Sequence, residues 1–177
     1  RHNVSNALAC IAVCSYYEIN KDTIYSSLLK FTGAHRRLEY VGSYNGAQVF
    51  DDYGHHPTEI TATAKAIKDK DFNESWVIFQ PHTYSRTKNL LDDFAKALLN
   101  FDHIIVTDIY AAREQNTYNI SSKDLVKRIN DFGKEAIYMP DFAEIAQYVK
   151  ENVSNNDLVL TLGAGTVMEI GPKIAIE

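Results

Sequence analysis

Hydrophobic positions along this chain recur at two spacings, and the change from one to the other divides it. Over residues 4–17 the apolar positions (Val-Ser-Asn-Ala-Leu-Ala-Cys-Ile-Ala-Val-Cys) fall at helical spacing. The segment is alanine-rich, which predicts a helix packed closely against a neighbour. Residues 21–30 predict a second, short helix, with Gly33 placed to end it. From Leu38 the period becomes two. Segments 39–43 and 47–52 flank Tyr44-Asn45-Gly46, and Asn-Gly between alternating segments is the strongest short-range sign of a hairpin. The change of period places a domain boundary within residues 33–37, giving domains of 1–34 and 35–177.

Beyond the hairpin the pattern is regular. Helices are predicted over 57–68, 86–100, 121–132 and 141–153. Strands are predicted over 76–80, 103–108, 136–139 and 158–162, with a polar loop to Ile120 and a last helix after Gly163-Ala164-Gly165. Strands such as Trp-Val-Ile-Phe, Ile-Ile-Val-Thr and Leu-Val-Leu-Thr-Leu are apolar on both faces. Their alternation with helices predicts an α/β fold: a mostly parallel, Rossmann-like sheet covered by helices on both faces, with the hairpin at its N-terminal side. Right-handed crossovers would bring the turns after Gln80, Asp108 and Leu162 to the same sheet edge as residues 51–56.

Composition narrows the classes. A net charge of −5 over 177 residues argues against nonspecific nucleic-acid binding, which needs a basic face. No apolar run reaches membrane-spanning length and no signal peptide precedes the first helix, so a cytoplasmic location is expected. Cys10 and Cys14 are the only cysteines; their i, i+4 spacing in an apolar pattern reads as two small core residues in a reducing compartment. The chain opens at Arg1 directly into a helix, as a piece of something larger would.

The densest chemistry is Asp51-Asp52-Tyr53-Gly54-His55-His56-Pro57-Thr58-Glu59, on a strand-to-helix turn. Such turns, at the carboxyl ends of strands, are where open α/β sheets hold ligands. Helix capping needs one acidic or hydroxyl group and leaves the second aspartate and both histidines unexplained. Gln80-Pro81-His82-Thr83-Tyr84-Ser85-Arg86-Thr87 follows a buried strand, so His82 and Arg86 stand near a helix start, where an anion is favoured. Arg86 suits a carboxylate or phosphate because its fork donates two parallel hydrogen bonds. Arg36-Arg37 lies at the domain boundary, where paired arginines are either solvated or clamp a phosphate on closure. His2-Asn3-Val4-Ser5-Asn6 sets two amides three apart, suited to a purine edge or merely to capping. Gly163-Ala164-Gly165-Thr166 lacks the Gly-Lys-Ser/Thr ending of a P-loop and reads as a tight turn. Asp108 with Tyr110, Arg113 and Glu114 ends a strand on the same edge and remains open.

Taken together, His2-Asn-Val-Ser-Asn6-Ala-Leu, Arg36-Arg37, Asp51-Asp-Tyr-Gly-His-His-Pro57 and Phe79-Gln-Pro-His-Thr-Tyr-Ser-Arg-Thr87 resemble the Mur ligases across essentially the whole chain. The resemblance is to members that join L-alanine to UDP-N-acetylmuramate. It implies an N-terminal domain for the UDP-sugar, a central domain with the ATP P-loop, and a Rossmann-like C-terminal domain for the amino acid. This chain resembles the last helices of the central domain followed by the whole C-terminal domain. The P-loop, the carbamylated lysine, the magnesium ligands and the uridine site are missing, so the chain is not expected to turn over alone, and no catalytic or metal-ligating residue is assigned to it.

The implied reaction uses ATP and Mg2+ in the intact enzyme. The muramate carboxylate becomes an acyl phosphate, the amine of L-alanine attacks, and phosphate leaves. Protein groups supply positioning and charge stabilisation in a dry cleft. By resemblance, Asn3 and Asn6 contact adenine with His2 beside the base, and Arg37 and Asp52 hold the nucleotide. Tyr53, His55, His82 and Arg86 match the L-alanine side, Arg86 as carboxylate clamp. Some relatives carry a second arginine where this chain has Thr83. Alternatives are a murein-peptide recycling ligase of the same family and a non-catalytic nucleotide- or metabolite-binding module. A receiver-like domain would need a strand-end lysine that is absent here.

Overall fold

In the computed structural model, residues 2–31 and 33–175 are described, with side chains from Val4 onward. They form two compact units, Arg1–Ala34 and His35–Glu177.

The first unit holds α1 (His2–Tyr16) and α2 (Lys21–Lys30). The Asn20 side chain caps α2 by accepting from the Asp22 N–H at 2.8 Å. The predicted burial of α1 is not observed. Val4, Leu8 and Val13 are exposed, Cys10 is exposed and Cys14 is half-buried, which corrects the reading of the cysteines as core residues. The physical reason is geometric: within this unit the helix has only α2, ten residues long and with no buried residue of its own, to cover its apolar positions. Gly33 does have left-handed backbone, φ 116°, but α2 is closed before it, at Phe31.

The second unit is a six-stranded sheet. Its strands are β1 (Glu39–Tyr44), β2 (Ala47–Asp52), β3 (Ser75–Phe79), β4 (His103–Val106), β5 (Ala136–Tyr138) and β6 (Leu158–Leu162), in the order β1-β2-β6-β3-β4-β5. Among the described residues only the β1–β2 hairpin is antiparallel; every other pairing is parallel. Asn45 (φ 50°) and Gly46 (φ 80°) both take positive φ, as a two-residue hairpin turn matching strand twist requires. A bulge between Tyr40 and Gly42 breaks the register of β1, the edge strand.

Period-two alternation sorts the central strands onto two cores. Val77, Phe79, Leu160 and Leu162 face α3 (Pro57–Lys68), α5 (Leu91–Leu98) and α6 (Ser122–Asp131) through Ile60, Phe94, Leu98, Leu125 and Ile129. Trp76, Ile78, Ile105 and Val159 face α7 (Phe142–Asn152) through Ile145 and Val149, and the C-terminal α8 (Ile170–Ile174) through its two isoleucines. This is the mostly parallel, two-sided sheet that the alternation predicts. The single helix expected over 86–100 is instead two, α4 (Tyr84–Asn89) and α5, broken at Leu90 (φ −117°, ψ 24°). Only Thr87 of α4 is buried, so the break lets α5 alone turn its apolar stripe into the core. No described helix is long and apolar enough to cross a membrane.

Because β6 lies between β2 and β3, the carboxyl ends of three strands converge. Asp52 pairs with Leu162, and Leu162 with Phe79, so the turns after β2, β6 and β3 leave the sheet side by side. The β4 end joins them through the Phe79–Val106 pairing.

Candidate functional site

The turn after β2 is built largely by its own charged groups. Asp51 is 3% exposed; its Oδ1 accepts from the Thr161 hydroxyl at 2.7 Å and its Oδ2 from Arg36 Nε at 2.8 Å. The same guanidinium donates to the carbonyls of Gly163 and Gly165 and lies 5.0 Å from the Tyr53 ring. Arg36 therefore ties the β2 turn to the β6 turn. Asp52 is 4% exposed and accepts from the N–H groups of Leu38 (2.9 Å) and Gly54 (2.8 Å). Burial pushes its carboxyl up, against the pull of those donors and of Arg37. His56 is the N-cap of α3, in a reciprocal capping box with Glu59 and with Pro57 at the first helical position. Burial would raise the Glu59 carboxyl, but the N–H groups of His55 and His56, with the charges of His55 and Arg37, hold it below its ordinary value. Both aspartates and His56 thus have structural partners, and of the groups that capping rules alone left unexplained only His55 stands at the rim of the turn.

The segment after β3 is different. His82 forms a bridge with Tyr110, and hydrogen bonds run from Tyr110 N–H to the Pro81 carbonyl (2.8 Å) and from Thr83 N–H to the Tyr110 carbonyl (2.9 Å). Between these anchors Thr83 takes φ 68°, ψ 144°, a conformation that a β-branched residue adopts only under constraint. Arg86, in the first turn of α4, is half-buried, and its Nη1 lies 3.3 Å from His82 Nδ1. Burial, Arg86 and His55 all depress the His82 imidazole, outweighing Glu114. A guanidinium can only donate, so in this contact His82 Nδ1 is the acceptor. Among the described residues Arg86 has no carboxylate within ion-pair distance.

Rings join the two turns. Tyr53 meets His55 edge-on at 5.3 Å between centroids, His55 lies 5.6 Å from His82, and His82 lies 5.6 Å from Tyr110. Tyr53, His55, His82 and Arg86 are thereby brought to one sheet edge. Arg37 is exposed, and its charge acts on Asp52 and Glu59. Asn6 is exposed on α1 in the first unit; the side chains of His2 and Asn3 lie outside the described residues.

Two contributors went unassigned in the sequence. Gln80, 4% exposed, accepts from Val167 N–H at 3.0 Å and donates to Thr166 Oγ1 at 3.3 Å, bracing the β6 turn. That turn needs its glycines: Gly163 has φ 147°, and a Cβ on Gly165 would stand 2.3 Å from Gln80 Oε1 and 2.7 Å from Tyr110 Cγ. Glu114 accepts from the Ser85 N–H (2.9 Å) and hydroxyl, and those bonds lower its carboxyl. A strand-end position on the functional edge was the only signal for either. Asp108 is exposed and accepts from the Tyr138 hydroxyl at 2.6 Å, an interaction that, with burial, raises the phenol to about 12. Arg113 is exposed. Among the described residues, no group of three or more His, Cys, Asp or Glu is arranged to hold a metal ion.

The chain as a whole has counterparts in known proteins. Residues 36–165 match the family model of the Mur ligase, glutamate ligase domain. A UDP-N-acetylmuramate–L-alanine ligase of Acetivibrio thermocellus is 49% identical over 170 residues, covering 96% of this chain and 36% of the relative. One from Agathobacter rectalis is 51% identical over 173 residues, 98% of this chain and 38% of the relative. The crystal structure of the UDP-N-acetylmuramate-alanine ligase of Thermotoga maritima superposes with a TM-score of 0.75 at 30% identity, over 98% of this chain and 36% of that one. A murein peptide ligase of Psychrobacter arcticus shares the fold, with a TM-score of 0.71 at 24% identity. The chain spans little more than a third of the length of the curated relatives it matches. On its sequence and its fold, the chain belongs to the Mur ligase family and contains that family's glutamate ligase domain.

Proposed function

We propose that this chain is the amino-acid-binding portion of an ATP-dependent ligase that joins L-alanine to UDP-N-acetylmuramate, in the cytoplasmic synthesis of peptidoglycan precursors. The observation that carries the reading is Arg86: a half-buried guanidinium 3.3 Å from His82 Nδ1, with no carboxylate paired to it among the described residues. A partly desolvated guanidinium favours a bidentate anion, and the carboxylate of an α-amino acid has that geometry. His55 and Tyr53 extend the same surface.

An amine cannot displace oxide from a carboxylate at neutral pH, so ATP must activate the muramate carboxyl. In that step this chain orients the nucleophile: fixing the L-alanine carboxylate on Arg86 directs the amine toward the acyl carbon, and much of the rate gain comes from such positioning. The exposed guanidinium of Arg37 suits an ATP phosphate. Asp52 acts on the nucleotide by holding the Leu38 and Gly54 backbone that carries Arg37 and Tyr53. Asn3 and Asn6, beside His2, are assigned to adenine. Mg2+ would travel with the phosphates and be held by residues outside this chain. The family's murein-peptide ligases are the second reading, favoured only by likeness of fold.

The test is ATP- and UDP-N-acetylmuramate-dependent incorporation of labelled L-alanine, by the full-length protein and by this chain alone. Incorporation by the full-length protein only is expected. Absence of incorporation by both, with nucleotide binding by the chain alone, would replace the ligase reading with a binding module.

A further inference from the structure

The loop after β4 was the most open signal in the sequence, and the residues assigned above do not use it. Tyr110 and His82 are partners in a parallel bridge, so their side chains leave the backbone on the same face; their ring centroids are 5.6 Å apart at 31°. Arg86 reaches His82 through Nδ1. His82 is thus shared between the carboxylate clamp and the Tyr110 ring. The ring is also backed: a Cβ on Gly165 would come within 2.7 Å of Tyr110 Cγ and 2.9 Å of its Cβ, so the β6 turn occupies the space behind it.

The loop is held at several points. Tyr110 is bonded to Pro81 and Thr83 through its backbone, Glu114 is bonded to Ser85 at the start of α4, and the Ser122 hydroxyl donates to the Thr107 carbonyl at 2.6 Å. A ring fixed by its backbone, backed by a turn and still 37% exposed is a rigid wall facing outward. An α-amino acid whose carboxylate rests on Arg86 carries its side chain only two bonds from that anchor, alongside His82.

We infer that Tyr110 is a specificity-determining residue of the amino-acid site, its ring closing the space beyond the ligand's Cβ so that alanine fits and longer side chains do not. The inference rests on the amino-acid site proposed above. A methylene that a packed wall excludes is worth about 10- to 200-fold in selectivity.

The experiment measures kcat/KM of the full-length protein for L-alanine, L-2-aminobutyrate and L-valine, in the wild type, Tyr110→Phe and Tyr110→Ala. Tyr110→Phe, which keeps the ring, is expected to hold the alanine-to-aminobutyrate ratio within about twofold. Tyr110→Ala is expected to lower that ratio by about tenfold or more, with the KM for ATP unchanged. If Tyr110→Ala does not fold, Tyr110→Leu applies the same test while keeping an apolar contact on Gly165. An unchanged ratio in the shortened variant, or a wild type that uses all three amino acids equally well, overturns the inference and leaves the ligase reading standing. A wild type that incorporates none of the three overturns the ligase reading itself.

Discussion

The turns after β2 and β3 both join a buried strand to a helix, yet they spend their polar residues in opposite ways. After β2, Asp51 and Asp52 are almost fully buried and bonded to Thr161, Arg36, Leu38 and Gly54, while His56 caps α3. After β3, His82 and Arg86 remain half-exposed, bonded mainly to each other, on a backbone held at an unfavourable φ at Thr83. The first turn is scaffold with Tyr53 and His55 at its rim; the second leaves the Arg86 guanidinium without a paired carboxylate among the described residues, which is the basis of the amino-acid site proposed above. Density of chemical groups along a sequence therefore marks where a site is built, and not which of those groups remain available to a ligand.

Mutation should separate the two turns. The largest effect is expected from Asp51→Ala, which leaves the enclosed Arg36 guanidinium without its carboxylate. A broken pair of this kind costs about 3–5 kcal/mol, readable as a lower urea midpoint for the chain. His56→Ala removes an N-cap and should cost about 1 kcal/mol in the same assay. Thr83→Gly should go the other way, because glycine adopts φ 68° without strain: a gain of up to about 1 kcal/mol is expected. A loss instead would show that the Thr83 side chain, and not its constrained backbone, stabilises the second turn.

The smallest effect is a pH dependence. The folded state holds His82 below its ordinary value, first through burial and then through Arg86 and His55. The stability this contributes is present above the unfolded imidazole pKa of about 6.5 and is lost as pH falls through the lower folded value. Thermal unfolding at about pH 7 and pH 5 should therefore show His82→Gln losing less stability on acidification than the wild type. Equal losses would place His82 in a less desolvated setting than the geometry indicates.

Much of the fold was legible because it rests on local pattern. Period-two strands, helices of regular spacing and Asn45-Gly46 led to the hairpin, the two-sided sheet and the shared edge. What escaped depends on distant partners. Nothing local to Asp51 indicates that Thr161, 110 residues away, and Arg36, 15 residues away, will take up both its oxygens. Neither does the apolar stripe of residues 84–98 reveal that Leu90 breaks it. Cys10 and Cys14 were misplaced for a related reason: helical spacing marks a face suited to burial without showing what covers it. Of the residues in the proposed site, His82 and Arg86 stand out in the sequence by their types and helix-start position, whereas Tyr110 becomes prominent only once β4 is seen to lie beside β3.

The most direct measurement is a pair of KM values, for L-alanine and for ATP, in the full-length protein with and without Arg86→Ala. Loss of one charge-assisted anchor should raise the alanine KM about ten- to a hundredfold, or ~1.5–3 kcal/mol, while the ATP KM and the melting temperature stay close to wild type. An unchanged alanine KM, or an equal rise in both constants, would contradict the assignment of this edge to the amino acid.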